Sequence, residues 1–222
     1  MRNSKSLLLL AALSVLVVAA HAQISTKPLV KPSTKPKQES ATVGVGANHT
    51  DLPDLSPEIK AAAQMVSDSF GASVELVETF MQEAMWLQKT EHVPAAAFVG
   101  LAILESAGFS SELYQKASNP FGMKAKKSLW NGPIHKMWHE GQMTDFRKYD
   151  TPRAAVADFA KFLRSRKWFR DAFQCKSTDY ECFVDHMMAD EKKREPGYAR
   201  DPEWGNKIKR VIRKYKLEPL SQ

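Results

Sequence analysis

The chain has 222 residues, 43% hydrophobic and 26% charged, which is ordinary for one soluble domain with a sizeable core. Its net charge is +7, but Arg2, Lys5 and four lysines in residues 23–50 carry much of the excess, so the folded part is only mildly basic. That speaks against nucleic-acid binding, which wants a concentrated basic face, and fits attraction to an anionic polymer outside the cell.

Arg2 and Lys5 precede an apolar run from Leu7 to Ala20, and Ala20-His21-Ala22 has the small-x-small form of a cleavage site. Residues 1–22 therefore read as a secretory signal peptide. The run is too short to span a bilayer comfortably, since at least ~17 residues are needed. The expected location is exported: periplasmic, or extracellular and wall-associated, with no stable membrane insertion. Residues 23–55 read as a linker, with Lys-Pro recurring at 27–28, 31–32 and 35–36 among Ser and Thr. Residues 56–222 read as the folded domain.

Ser56-Pro57-Glu58 signals a first helix that Gly71 closes, and a second is expected from about Val74 to Lys89. Pro94 to Glu105 predicts a short apolar helix, with Pro94 at its first position and Gly108 suited to a left-handed cap. Phe98, Leu101 and Glu105 share one face of it, so Glu105 is expected on the buried side. Between Gly108 and Asp150 the helical pattern breaks down. Ile134–His139 and Met143–Tyr149 predict a small hairpin with Glu140 at its turn. Asp150-Thr151-Pro152 opens a helix to about Arg166, and a short segment, Trp168–Phe173, follows. Thr178 with Glu181 forms a capping-box pattern for a helix ending near Asp190. Asp201 is expected to cap the last helix, with Ile208, Val211, Ile212 and Tyr215 on its buried side. Lys207, Lys209, Arg210, Arg213 and Lys214 would then lie on a solvated face. The fold class is mainly α, with one small β excursion.

Two cysteines, Cys175 and Cys182, flank the start of the fifth expected helix. In an exported protein a disulfide is the expected state, two buried free thiols being the alternative. His186 lies one turn from Cys182, which leaves a nucleophilic cysteine as a further alternative. His135 and His139 stand four apart, but on a strand that spacing is too long for two ligands of one ion at ~3.3 Å per residue. No metal or cofactor is expected.

Two carboxylates remain as candidates for chemistry. Burial of Glu105 would raise its pKa and leave it protonated near neutral pH, as a general acid must be. Glu140 could serve as the second carboxylate of a glycoside hydrolase pair. Phe109, Phe121, Trp130, Trp138 and Tyr198 could stack on sugar rings or fill the core.

Four strings carry a resemblance: Leu101-Ala102-Ile103-Leu104-Glu105-Ser106, Ser118-Asn119-Pro120-Phe121-Gly122-Met123-Lys124, Phe146-Arg147-Lys148-Tyr149 and Gly197-Tyr198-Ala199-Arg200-Asp201-Pro202. Over about residues 75–217 the chain resembles the glucosaminidase domain of glycoside hydrolase family 73. The resemblance implies a lysozyme-like helical lobe with a small β-hairpin lobe. It implies cleavage of the β-1,4 bond after N-acetylglucosamine in peptidoglycan glycan strands, and a monomer is expected. Glu105 matches the family's general acid, Glu140 its second acidic residue and Tyr198 the tyrosine beside the cleft. Asn119 and Phe121 match a loop bordering the cleft, and Phe109 and Trp138 are expected substrate contacts. Ala107-Gly108-Phe109 departs from a common Gly-Trp-Gly, Pro120 from Leu and Arg200 from Thr. The Glu-Ser pair also occurs in lytic transglycosylases, and a wall-binding module with a dead site is the third reading.

Overall fold

The computed structural model describes residues 51–188, 196–199 and 201–222. The expected signal peptide, most of the linker, Arg200 and the expected helix end at Asp190 lie outside these described residues.

Helix α1, Pro57–Phe70, starts where the Ser56 hydroxyl accepts the Ile59 N–H and stops at Gly71, whose φ of 73° is cheap only for glycine. Helix α2, Val74–Glu91, starts in the same way at Ser73. Helix α3, Ala95–Glu105, is the centre of the domain: every residue from Ala95 to Ile103 is buried. Pro94 caps it from one position earlier than expected. A fourth helix, α4, Glu112–Ala117, falls in the stretch expected to be irregular. Six residues are too few to display a helical period, although Ser111 provides its cap.

Strands β1, Ile134–His139, and β2, Gln142–Arg147, pair antiparallel, with Ile134 opposite Arg147 and His139 opposite Gln142. The two-residue turn between them is Glu140-Gly141, both at positive φ (50° and 79°), as a tight hairpin with right-handed strand twist requires. One hairpin face packs Met137 and Phe146 against Leu113 and Ala117 of α4.

Helix α5, Pro152–Arg164, is capped by Thr151 and packs on α2. Arg153 ties the two helices: its Nε donates to Oε2 of fully buried Glu83 at 2.7 Å, and its guanidinium lies 4.3 Å from the Trp86 ring centre. Two 3₁₀ turns, Lys167–Phe169 and Asp171–Gln174, follow. Helix α6, Tyr180–His186, is capped by Asp179, which accepts the Cys182 N–H at 2.9 Å, and not by Thr178. A carboxylate next to the first turn offers the stronger acceptor. Cys175 and Cys182 are disulfide-bonded, with Cα atoms 5.9 Å apart.

Helix α7, Trp204–Lys214, buries Ile208, Ile212 and, just past its end, Tyr215, while Val211 is half-buried. Asp201 does not cap it directly but accepts the Glu203 N–H at 2.9 Å in the turn before. Helices α3 and α7 approach closely at Gly100, where a Cβ would stand 2.6 Å from Cγ1 of Ile212. Phe98 of α3 meets Phe121, Phe159 and Phe183 at ring distances of 6.0, 5.3 and 6.1 Å, which marks the core.

Candidate active site

Glu105 is the last residue of α3. Phe98 and Leu101 on its face are buried, but Glu105 itself is exposed, because the helix ends before the core closes over it. This corrects the expectation of a carboxyl inside the core. One carboxylate oxygen accepts the indole N–H of Trp204 at 2.8 Å. Gly100 against Ile212 and Glu105 against Trp204 follow from one antiparallel crossing, in which the start of α7 meets the end of α3. Protein packed around the carboxyl desolvates it and raises its pKa, while the Trp204 hydrogen bond acts in the opposite sense and is the weaker effect. A carboxyl open to solvent on one side and desolvated on the other can hold a proton and still reach a ligand.

Behind Glu105 the chain bends sharply. Ser106 is buried; its hydroxyl donates to Ala102 O at 2.6 Å and accepts the Phe109 N–H at 2.8 Å. Ala107, Gly108 and Phe109 all take positive φ, at 51°, 62° and 68°. Phe109 is fully buried against Phe80 and Tyr114, at ring distances of 4.9 and 5.2 Å, so core packing offsets its backbone strain. It has no free face for a sugar.

Tyr198 stacks at an angle on Trp204, ring centres 4.9 Å apart, and its hydroxyl donates to Phe121 O at 3.0 Å. Burial, and then the negative charge of Glu105, push the Tyr198 hydroxyl far above its usual range, so it stays neutral. Trp204 thus touches both Glu105 and Tyr198. Nothing in the sequence motifs singled it out; the available signal was an aromatic directly after the Asp201-Pro202-Glu203 helix start.

Asn119 is 1% exposed, and its amide is fully engaged. Its Nδ2 donates to Met123 O and Arg147 O, and its Oδ1 accepts the Met123 N–H, all at 2.9 Å. It joins the loop before the hairpin to β2. Phe121 is 2% exposed and stacks on Phe159 at 4.1 Å. Asn119 and Phe121 therefore shape the lobe junction from within, and neither presents a side chain to a ligand.

Glu140 projects from the hairpin turn with 70% of its side chain exposed, 3.5 Å from both Lys124 Nζ and His139 Nε2. No hydrogen bond or ion pair among the described residues joins it to Glu105. Trp138 is 67% exposed and pairs across the hairpin with exposed Met143. Trp130 is tied down, with its indole N–H on Pro133 O at 2.9 Å and Arg147 over its ring at 4.9 Å.

Among the described residues, one group of three potential metal ligands comes together: Cys175, Cys182 and His186. The disulfide occupies both sulfurs, so neither a thiolate nucleophile nor a thiolate ligand is available there. No helix among the described residues is long and apolar enough to cross a membrane.

A helical lobe whose central helix ends on a carboxyl of raised proton affinity, joined to a two-stranded lobe, defines the lysozyme-like class. The chain belongs to the glucosaminidase family: the family model, described as mannosyl-glycoprotein endo-beta-N-acetylglucosaminidase, matches residues 81–217. Exo-glucosaminidase LytG of Bacillus subtilis (strain 168) is 27% identical over 154 residues, 66% of this chain and 52% of LytG. The chain thus spans about half the length of that relative. The fold is similar to a peptidoglycan hydrolase from Sphingomonas sp. A1, with a TM-score of 0.54 at 23% identity over 67% of this chain and 94% of that one. It is equally similar to the glycoside hydrolase domain of Salmonella typhimurium FlgJ, with a TM-score of 0.54 at 21% identity over 65% of this chain and 89% of that one.

Proposed function

We propose that this protein is exported and hydrolyses the β-1,4 bond after N-acetylglucosamine in peptidoglycan glycan strands, with Glu105 as general acid. The observation that carries this reading is the Glu105 carboxyl at the exposed end of the central helix, with its pKa raised by desolvation. Glu105 gives its proton to the departing glycosidic oxygen as positive charge builds on the anomeric carbon. Two routes complete the reaction. Water attacks the anomeric carbon with help from Glu140, or the substrate's own acetamido oxygen, oriented by Tyr198, attacks it and water then opens the resulting oxazolinium ion. The second route has better support, because Tyr198 packs on the same Trp204 that holds Glu105, whereas Glu140 is engaged by Lys124 and His139 on an exposed turn. Trp138, exposed on the hairpin, serves as a sugar platform.

Digestion of purified peptidoglycan tests the reading: wild type should release new glucosamine reducing ends and Glu105→Gln none. Release of 1,6-anhydro-muramic ends instead would make it a transglycosylase. Wall binding by folded wild type without lysis would make it a binding module. Glu140→Gln should keep most activity under the acetamido route and lose it under the water route.

A further inference from the structure

A groove separate from Glu105 lies between the segment before β1 and the C-terminal half of α5. Its volume is about 530 Å³, the size of a small-ligand site. Trp130 and Asn131 line one side, and Lys161, Phe162 and Arg166 the other. Arg147 and Asp158 form its base and neutralise each other at 2.6 Å.

The remaining charge is not neutralised. Among the described residues neither Lys161 nor Arg166 has an acidic partner within ion-pair distance. Arg166 is nonetheless oriented, with its guanidinium 4.9 Å from the Phe162 ring centre. Two cations, one oriented over a ring, flanked by an indole and an amide, suit a ligand that carries carboxylates on a compact, partly apolar body. A flexible phosphodiester chain would need only an open basic surface, and this site is concave and aromatic-walled.

The groove is linked to the candidate catalytic centre through the core. Phe159 of α5 touches Tyr198 at 5.5 Å on one side and Phe162 at 6.4 Å on the other, so two ring contacts lead from Tyr198 to the groove wall. We propose that this groove binds the carboxylate-bearing peptide stem of the glycan strand, with Lys161 and Arg166 pairing to its carboxylates and Trp130 covering its apolar part. This inference rests on peptidoglycan being the substrate.

The test measures binding rather than turnover. Glu105→Gln protein, and the same protein carrying Lys161→Gln and Arg166→Gln, are co-sedimented with three wall preparations: complete, stripped of phosphate polymers, and stripped of stem peptides by an amidase. We expect the Glu105→Gln protein to bind stem-bearing walls at least about tenfold more tightly than stem-free walls, a preference that two charge-assisted contacts can supply. The double substitution should erase most of that preference with the melting temperature unchanged, and Arg166→Lys alone should keep part of it. Equal binding to stem-bearing and stem-free walls overturns the inference, as does a preference that survives the double substitution. Binding lost on removing phosphate polymers reassigns the groove to those polymers. Failure of all wall binding, with glycan cleavage intact in the wild type, overturns the groove while leaving the hydrolase reading in place. Absence of cleavage together with stem-dependent binding does the reverse.

Discussion

The indole N–H of Trp204 points at a carboxylate oxygen of Glu105 across 2.8 Å, linking the first residue of the last helix to the last residue of the central one. The bond favours the ionised carboxylate, in opposition to the desolvation that favours the protonated one. Under the proposed mechanism, Trp204 thereby keeps the proton of Glu105 transferable.

Trp204→Phe removes the donor and keeps most of the packing. The Glu105 pKa should rise further, because only desolvation then acts on it. The alkaline limb of the pH–rate profile, which reports a general acid in its protonated form, should move upward. The maximal rate should fall roughly tenfold, as expected for a lost hydrogen bond to a charged group. An unchanged profile would show that the bond has no part in tuning the acid.

Glu105→Gln should lower lysis by about 10²–10⁴-fold. Its stability should behave differently. Because the folded pKa lies above the ordinary value of 4.5, the folded state holds the proton more tightly than the unfolded chain. Ionisation therefore costs wild-type stability as pH climbs past that value, and the penalty levels off above the folded pKa. Glutamine escapes it. The variant should match wild type near pH 4 and be at least as heat-stable at pH 7, as read by melting temperatures at both. A clear fall at pH 7 would make Glu105 a structural partner.

Asn119→Ala should destabilise the fold by about 3 kcal/mol, because it strands two carbonyls and one N–H in a buried junction. Urea unfolding measures this. Asn119→Asp keeps only the acceptor for the Met123 N–H and should be little better. If either variant instead raised KM with stability intact, Asn119 would be a ligand contact.

Glu83→Ala should cost about 2 kcal/mol by removing the buried partner of Arg153. Arg153 keeps Asp51 at 3.1 Å and Trp86, so it is not left bare. Hydrogen exchange should rise in α2 and α5 ahead of the other helices.

Replacing Cys175 and Cys182 with serine should lower stability by about 2 kcal/mol, the loop-entropy value for so short a ring. Lysis should survive under assay conditions where the variant is folded, since neither sulfur is available for chemistry in the wild type.

Most of the fold was legible because local chemistry set it. Ser56, Ser73 and Thr151 cap their helices, Gly71 stops one, and Glu140-Gly141 can hardly be anything but a turn. The position of Glu105 at the end of an apolar helix was legible too. Its exposure was not, since helical period places a residue on a face but not at the mouth or floor of a cleft. Phe109, Phe121 and Trp138 look alike as letters, yet the first two are core and the third is in water. Only long-range packing decides that. Trp204 stayed hidden because it meets Glu105 across 99 positions of chain, and no local pattern records such a pairing.

The Asn119 clamp has a mechanical consequence. The hairpin is a lever whose fulcrum is the Arg147 carbonyl held by Asn119, with Glu140 and Trp138 towards its far end. Six residues of strand make an arm of ~20 Å. A tilt of a few degrees at the fulcrum sweeps the tip through an ångström or more, and such a displacement can decide whether a reacting group is in register with its target. One buried amide therefore shares, with the packing of Met137 and Phe146 on α4, in aligning everything the hairpin carries.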